Sequence, residues 1–333
     1  MDHSAPAAHV MAGIPTWMAV GAVALIIAVS HLLVRGGAAH AATQLPGRFS
    51  LFRFAALKSI VERPFFPLLA QSLAILLLLL IIWAGLFGSQ RHNIATVLTW
   101  TWWWALLIFI IAAFGKGFCA ICPWEGLASL TTSLSLRSRI KKIGFEFRWP
   151  RWGRNLYPAL ALFVLLTWFE LGYDATHSPA LTAVMGVAMA TMAIMAAMFF
   201  EGRAFCRYAC LVGRISGIYA LFSPVELRPQ STTVCRDCET VDCVRGNDLA
   251  TGCPTHLFPG NLKQNTYCTL CTECIRACPH DNLTINLRTP AADLLNTSRY
   301  RWDEAVLALV LLALTSFHGM TMTSHWERIN DWL

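Results

Sequence analysis

Charge is scarce in this sequence: Asp, Glu, Lys and Arg make up 14% of its 333 residues, where an ordinary globular domain carries about 25%. Because 56% of the residues are hydrophobic, a water-soluble enzyme of this length could not cover its apolar surface. No glycine-rich nucleotide loop, Ser/His/Asp arrangement or pair of catalytic carboxylates is visible, so phosphate cradling and acid–base hydrolysis lack their usual residues. The 13 Trp and 12 Cys, with 26 Lys+Arg against 19 Asp+Glu, exclude disorder, collagen and coiled coil. A membrane protein with a cysteine-rich part remains.

A helix needs about 20 apolar residues to cross a bilayer. The sequence offers six such stretches, near 14–34, 66–88, 96–115, 156–172, 180–200 and 303–322. The fourth is short and carries Glu170, and the sixth contains His318. The expected fold is an α-helical polytopic membrane protein, a six-helix transmembrane bundle with a cytoplasmic segment inserted before the last helix. Residues 1–200 would hold spans one to five and their basic loops, 201–302 the insertion, and 303–333 the last span with a short outer tail.

Placing the N-terminus outside puts 24 of the 26 Lys and Arg on the inner side, leaving only Arg91 and Arg328 outside. The positive-inside rule then puts both termini outside and residues 201–302 in the cytoplasm of a bacterial inner membrane. Ala39-His40-Ala41 resembles a signal cleavage site, but residues 1–13 hold no Lys or Arg and Arg35 follows the apolar run, the polarity of an N-out anchor. The basic run Arg137 to Lys142 belongs at anionic lipid headgroups, so the net charge of +7 reflects membrane orientation and no nucleic-acid partner is expected.

Ten of the twelve cysteines lie between the fifth and sixth spans. Cys268-x2-Cys271-x2-Cys274-x3-Cys278-Pro279 is the bacterial ferredoxin run, in which three close thiolates hold one [4Fe-4S] cluster and the fourth serves the neighbouring cluster. Upstream, Cys235-x2-Cys238-x4-Cys243 followed by Cys253-Pro254 has the layout of a partner run. Interleaving assigns Cys235, Cys238, Cys243 and Cys278 to cluster one, and Cys268, Cys271, Cys274 and Cys253 to cluster two. Zinc also uses Cys-x2-Cys pairs, but a four-ligand ion does not need three cysteines in i, i+3, i+6 order followed by Cys-Pro. Disulfides do not suit a reducing cytoplasm.

The four cysteines outside these two runs, two of them at the start of that region, are paired at the inner ends of spans three and five, as Cys119-x2-Cys122-Pro123 and Cys206-x3-Cys210. On helices that continued so far, each spacing would put its pair on one face. Two pairs at one depth make a candidate four-thiolate site: a third iron–sulfur cluster, a copper site, or redox-active thiols. The bland alternative is that buried Cys acts as a small hydrophobe.

Weaker features have simpler readings. His31 and His318 suit packing more than haem ligation, so haem is not expected. Trp100, Trp102, Trp103 and Trp104 read as an interfacial belt. Glu170 and Asp174 could take quinol protons or simply end a solvated helix.

Six spans, cysteine pairs at inner helix ends and a two-cluster insertion resemble the membrane polyferredoxins of the NapH and NosR type and, more distantly, the CcoG type, over about residues 66 to 322. That family's membrane motif usually reads Cys-x3-Cys-Pro followed by Gly or Arg. Here Phe118-Cys119-x2-Cys122-Pro123-x2-Gly126 is one residue shorter, and Phe205-Cys206-x3-Cys210-Leu211-x-Gly213-Arg214 has Leu211 where Pro is usual. The resemblance implies electron transfer between quinone or quinol and a partner oxidoreductase or maturation system, with quinol dehydrogenase activity. NosR-like proteins carry an outer flavin domain before the first span; the roughly 13 residues here suggest a bare membrane conduit. CcoG-like proteins keep a second function open, a metalloreductase turning Cu(II) into Cu(I), and a redox regulatory or assembly factor is a third.

Overall fold

The computed structural model describes residues 48–63, 65–133, 144–295 and 301–321, with isolated positions between Trp17 and Arg35. The expected span at 14–34 is thus described only at isolated positions, which are helical and exposed. Ala39-His40-Ala41, the run Arg137 to Lys142 and residues 322–333 lie outside the described residues.

Long apolar runs become helices because lipid offers no partners to a backbone N–H or C=O. After a short helix α1 (Ala55–Glu62), α2 (Phe65–Phe87) rises to a tight turn. There Asn93 accepts from Ala95 N at 2.8 Å and donates to Ala84 O at 2.6 Å, so one side chain closes α2 and starts the next helix. That helix begins at Ile94–Thr96, passes through a π-type stretch at Val97–Trp103 and continues as α3 (Trp104–Phe114). Next come α4 (Pro123–Ser133), α5 (Tyr157–Gly172) and α6 (Pro179–Phe199), which Ser178 caps by accepting from Leu181 N. A Cβ on Gly85 would stand 2.5 Å from Pro179 O, which is why α2 and α6 can approach so closely.

Four described helical segments are long and apolar enough to cross a membrane: Leu68–Phe87, Ile94–Thr131, Pro179–Phe199 and Trp302–Met320. The chain is therefore a helical, multi-pass membrane protein. The 16 residues of α5 span only about 24 Å at 1.5 Å per residue.

The region between the fifth and sixth expected spans opens with α7 (Leu211–Tyr219) and β2 (Val225–Pro229). Short helices follow, α8 (Thr232–Arg236), α9 (Asp242–Arg245) and α10 (Glu273–Ala277), before β3 (Leu283–Leu287), α11 (Ala292–Leu295) and α12 (Trp302–Thr321). Strands β2 and β3 pair antiparallel, Val225 opposite Leu287 and Pro229 opposite Leu283. A third strand comes from far upstream: β1 (Phe49–Ser50) pairs with the other edge of β3, giving the order β1-β3-β2. Arg48 ion-pairs with Glu226 at 2.8 Å, and the Ser50 and Thr284 hydroxyls hydrogen-bond at 2.7 Å.

A buried charge network holds this region together. Arg228 and Arg288 both pair with Glu226 and Asp293, at 3.5 and 3.2 Å for Arg228 and 3.3 Å for Arg288 with Glu226. Asp293 also accepts from Asn265 N at 2.7 Å. Two cations against two carboxylates leave no net charge to desolvate, the condition under which such a network is tolerated.

Candidate functional site

One set of four cysteines crosses the order of the chain. Cys235 lies on α8, Cys243 on α9, Cys238 between them and Cys278 just after α10, and all four line one pocket with Phe258, Asn282 and Leu283. Val241 enters α9 at φ +52°, strained for a β-branched residue. That kink turns its N–H toward Cys238, and with the Thr240 hydroxyl it holds this thiol below its ordinary value. Asn282 Nδ2 donates to Cys235 Sγ at 3.3 Å, although burial still pushes that thiol up. Burial, with Cys278, Cys235 and Cys238 close by, pushes Cys243 up to about 12.

The second group repeats the device. Leu270 and Thr272 take left-handed φ of +54° and +65°, and the N–H groups of Leu270 and Glu273 donate to the sulfurs of Cys268 and Cys271. Burial pushes Cys271 up to about 12 and Cys274 well above the ordinary thiol value. Cys253, which receives Leu257 N at 3.3 Å, is within electrostatic reach of Cys268, Cys271 and Cys274. Cys243 and Cys274 share one apolar core with Leu227, Ile275 and Leu283, so the two groups lie side by side. Among the described residues no three His, Cys, Asp or Glu side chains close around a single metal ion. N–H donors aimed at the sulfurs are what an anionic iron–sulfur cluster requires of its surround, and the donor set here fits that group.

The remaining four cysteines sit on irregular turns instead of continuing helices. Gly115 ends α3 at φ +57°, where a Cβ would come within 3.1 Å of Ala220. Cys119 then falls in a 3-10 turn and Cys122 just before α4, while Cys206 lies in a π-type turn and Cys210 is extended as the N-cap of α7. The one-face arrangement expected from the spacing is thus replaced. Cys122 is within electrostatic reach of Cys119 and Cys210, and Cys206 of all three. Cys206 Sγ donates to Glu125 Oε2 at 3.2 Å, and Arg203 Nε donates to Glu125 Oε1 at 2.6 Å. The quartet adjoins the second cysteine group: Arg203 N donates to Pro254 O at 3.0 Å, and a Cβ on Gly117 would meet the Leu270 side chain at 3.7 Å.

Of the tryptophans expected to form a belt, only Trp102 is exposed. Trp100 donates to Thr182 Oγ1 at 2.9 Å, and Trp103 packs edge-on against Trp104, Phe118 and Trp124 beside the quartet. These rings fill the core because the turn at Cys119 brings Phe118 and Trp124 back against α3. His31 is an exposed helical position, and His318 Nδ1 lies 3.0 Å from Leu314 O on its own helix. Glu170 is within electrostatic reach of His318, while Asp174 pairs with His177 in an exposed turn. Sequence reasoning passed over Lys116, Glu125 and Asn282 as site residues. For Lys116 a signal existed, since a lysine at the end of an apolar span is costly unless it has a task.

No family model matches the chain, and no solved structure matches it. Among curated proteins it is similar to the "Putative electron transport protein YccM" of Escherichia coli (strain K12), 27% identical over 235 residues, or 62% of each chain. The chain thus spans under two thirds of that relative's length.

Proposed function

We propose that this chain is an iron–sulfur electron-transfer protein of the bacterial inner membrane. In this reading Cys235, Cys238, Cys243 and Cys278 hold one [4Fe-4S] cluster, and Cys253, Cys268, Cys271 and Cys274 hold a second. The observation that carries it is that Cys278, the last cysteine of the second run, lines one pocket with Cys235, Cys238 and Cys243 of the first. Bound clusters would supply one-electron redox chemistry. The chain's own residues aim N–H donors at the sulfurs and keep the two groups adjacent. The relative's name as an electron transport protein supports the same reading.

The function is to pass electrons between the quinone pool and a separate redox partner protein. Its support is the contact of the second cysteine group with helix ends that carry four further thiols. Those thiols, Cys119, Cys122, Cys206 and Cys210, form a third redox or metal site. Soft sulfur ligands at that place also favour a second reading, reduction of Cu(II) to Cu(I).

The test is to purify the protein in detergent, quantify iron and acid-labile sulfide, and follow cluster reduction by EPR after adding a reduced quinol analogue. Reduction by quinol, weakened when the four membrane-end cysteines are replaced, is the expected result. Clusters that exchange no electrons with quinol or quinone, while Cu(II) is reduced in steady turnover, would replace the proposal with the metalloreductase.

A further inference from the structure

Lys116 is 1% exposed and its Nζ has no hydrogen-bond partner. A buried, unpartnered ammonium is strongly unfavourable, so a protein that keeps one normally sets a negative charge against it. Lys116 is within electrostatic reach of Cys119, Cys206 and Cys210, and of Cys268 in the second cysteine group. Further buried donors without acceptors belong to residues near these cysteines in the chain: Trp124 Nε1, Arg207 Nε, and Arg214 Nε and Nη1, the Arg214 guanidinium also lying over the Tyr267 ring at 4.6 Å and within electrostatic reach of Cys119. Each belongs to a residue within four positions of a quartet cysteine. The nearby carboxylate does not answer them, because Glu125 is already paired with Arg203 and accepts from Cys206. Two buried cations, Lys116 and Arg214, within reach of these thiols fit an occupant with net negative charge and acceptor sulfurs. An iron–sulfur cluster ligated by the four thiolates, whose sulfurs stand farther apart than the ligands of a single ion, is such an occupant.

We propose that Lys116 is the buried counter-ion of a metal–thiolate centre held by Cys119, Cys122, Cys206 and Cys210. This rests on the reading of the quartet as ligands and adds the residue that sets its charge. Iron in a cluster and copper(I) share the chemistry that Lys116 answers, an anionic thiolate shell. Net charge and hydrogen bonds to sulfur set the potential of such a centre. A cation fixed in a low-dielectric surround favours the more negative, reduced state, so Lys116 raises the potential. Lys116 is a charge-setting residue, not a ligand.

The test uses the full chain purified in detergent with its metals. Iron, acid-labile sulfide, copper and zinc are first compared between the unaltered protein and the Cys122→Ser/Cys210→Ser variant. Loss of iron with sulfide, or of copper, with the other cluster signals retained, supports the quartet as ligands and tells the two metals apart. Unchanged metal content overturns the quartet reading and the inference with it. Lys116→Met then tests the inference alone: the quartet's metal should be lost faster to a chelator and its midpoint potential should shift downward. Lys116→Arg should restore both, and Lys116→Gln, which keeps a donor without the charge, should shift the potential as Lys116→Met does. If the cysteine variant loses metal but Lys116→Met and Lys116→Gln leave chelator release and potential unchanged, the ligands stand and the counter-ion role is wrong.

Discussion

Cys278 closes the second cysteine run in the sequence, yet its side chain lines the same pocket as Cys235 of the first. A run of three closely spaced thiolates covers three corners of a cube and leaves the fourth to a distant cysteine. Cys278→Ser should therefore remove or alter the EPR signal of the cluster at the Cys235 run and leave that of the Cys268 run nearly intact. The reverse pattern would show that each run keeps its own fourth ligand.

Asn282 links that pocket to the sheet. Its Nδ2 donates to Cys235 Sγ at 3.3 Å and to Ser231 O at 2.7 Å, and its Oδ1 accepts from Ser231 N at 2.9 Å. Asn282→Ala should lower the potential of the cluster held with Cys235, because an N–H···S bond favours the reduced state. It should also cost about 1–3 kcal/mol in stability, since buried partners are left unmade. A redox titration in which neither cluster moves would remove Asn282 from the site.

Asp293, 3% exposed at its side chain, accepts from Arg228, Arg288 and Asn265 N. Asp293→Ala leaves two buried guanidinium groups facing Glu226 alone, and breaking a buried network in this way costs about 3–5 kcal/mol. Thermal loss of the cluster absorbance should occur at a clearly lower temperature, with Asp293→Asn intermediate. An unchanged transition would show that the network adds little to the fold.

The long elements were legible because the bilayer imposes one length on them. Helices at Phe65–Phe87, Pro179–Phe199 and Trp302–Thr321 lie within a few residues of the expected spans. The nearness of Cys278 to the first cysteine run, which the interleaved spacing of the two runs leads one to expect, appears in the structure as one shared pocket. The strand Phe49–Ser50 was not legible, since two residues carry no periodicity and its pairing partner lies beyond the fifth expected span. Nor were the turns at Cys119 and Cys206 or the packing of Trp103. A π-type turn and a 3-10 turn have no composition of their own, and the helix spacing rule assumes that the helix continues. Lys116 counted in the sequence only as one more inner cation, because burial belongs to the packed chain.

The last prediction concerns the sides of the membrane. Arg48 reaches Glu226, Lys58 pairs with Asp281, the backbone of Phe147 bonds with Phe199 and Glu201, and Arg203 N donates to Pro254 O. Segments before the second expected span, between the third and fourth, and after the fifth therefore meet at one end of the helices. The turns holding Asn93 and the Asp174–His177 pair lie at the other. Among the described residues the first end carries nearly all the Lys and Arg, and short basic loops resist translocation, so it should face the cytoplasm. Reporter fusions between residues 116 and 155 and near residue 260 should both read cytoplasmic, and fusions near residues 90 and 176 should read periplasmic. A periplasmic signal at either basic site would reverse the orientation. It would also move the proposed clusters into an oxidising compartment, where free thiols do not persist.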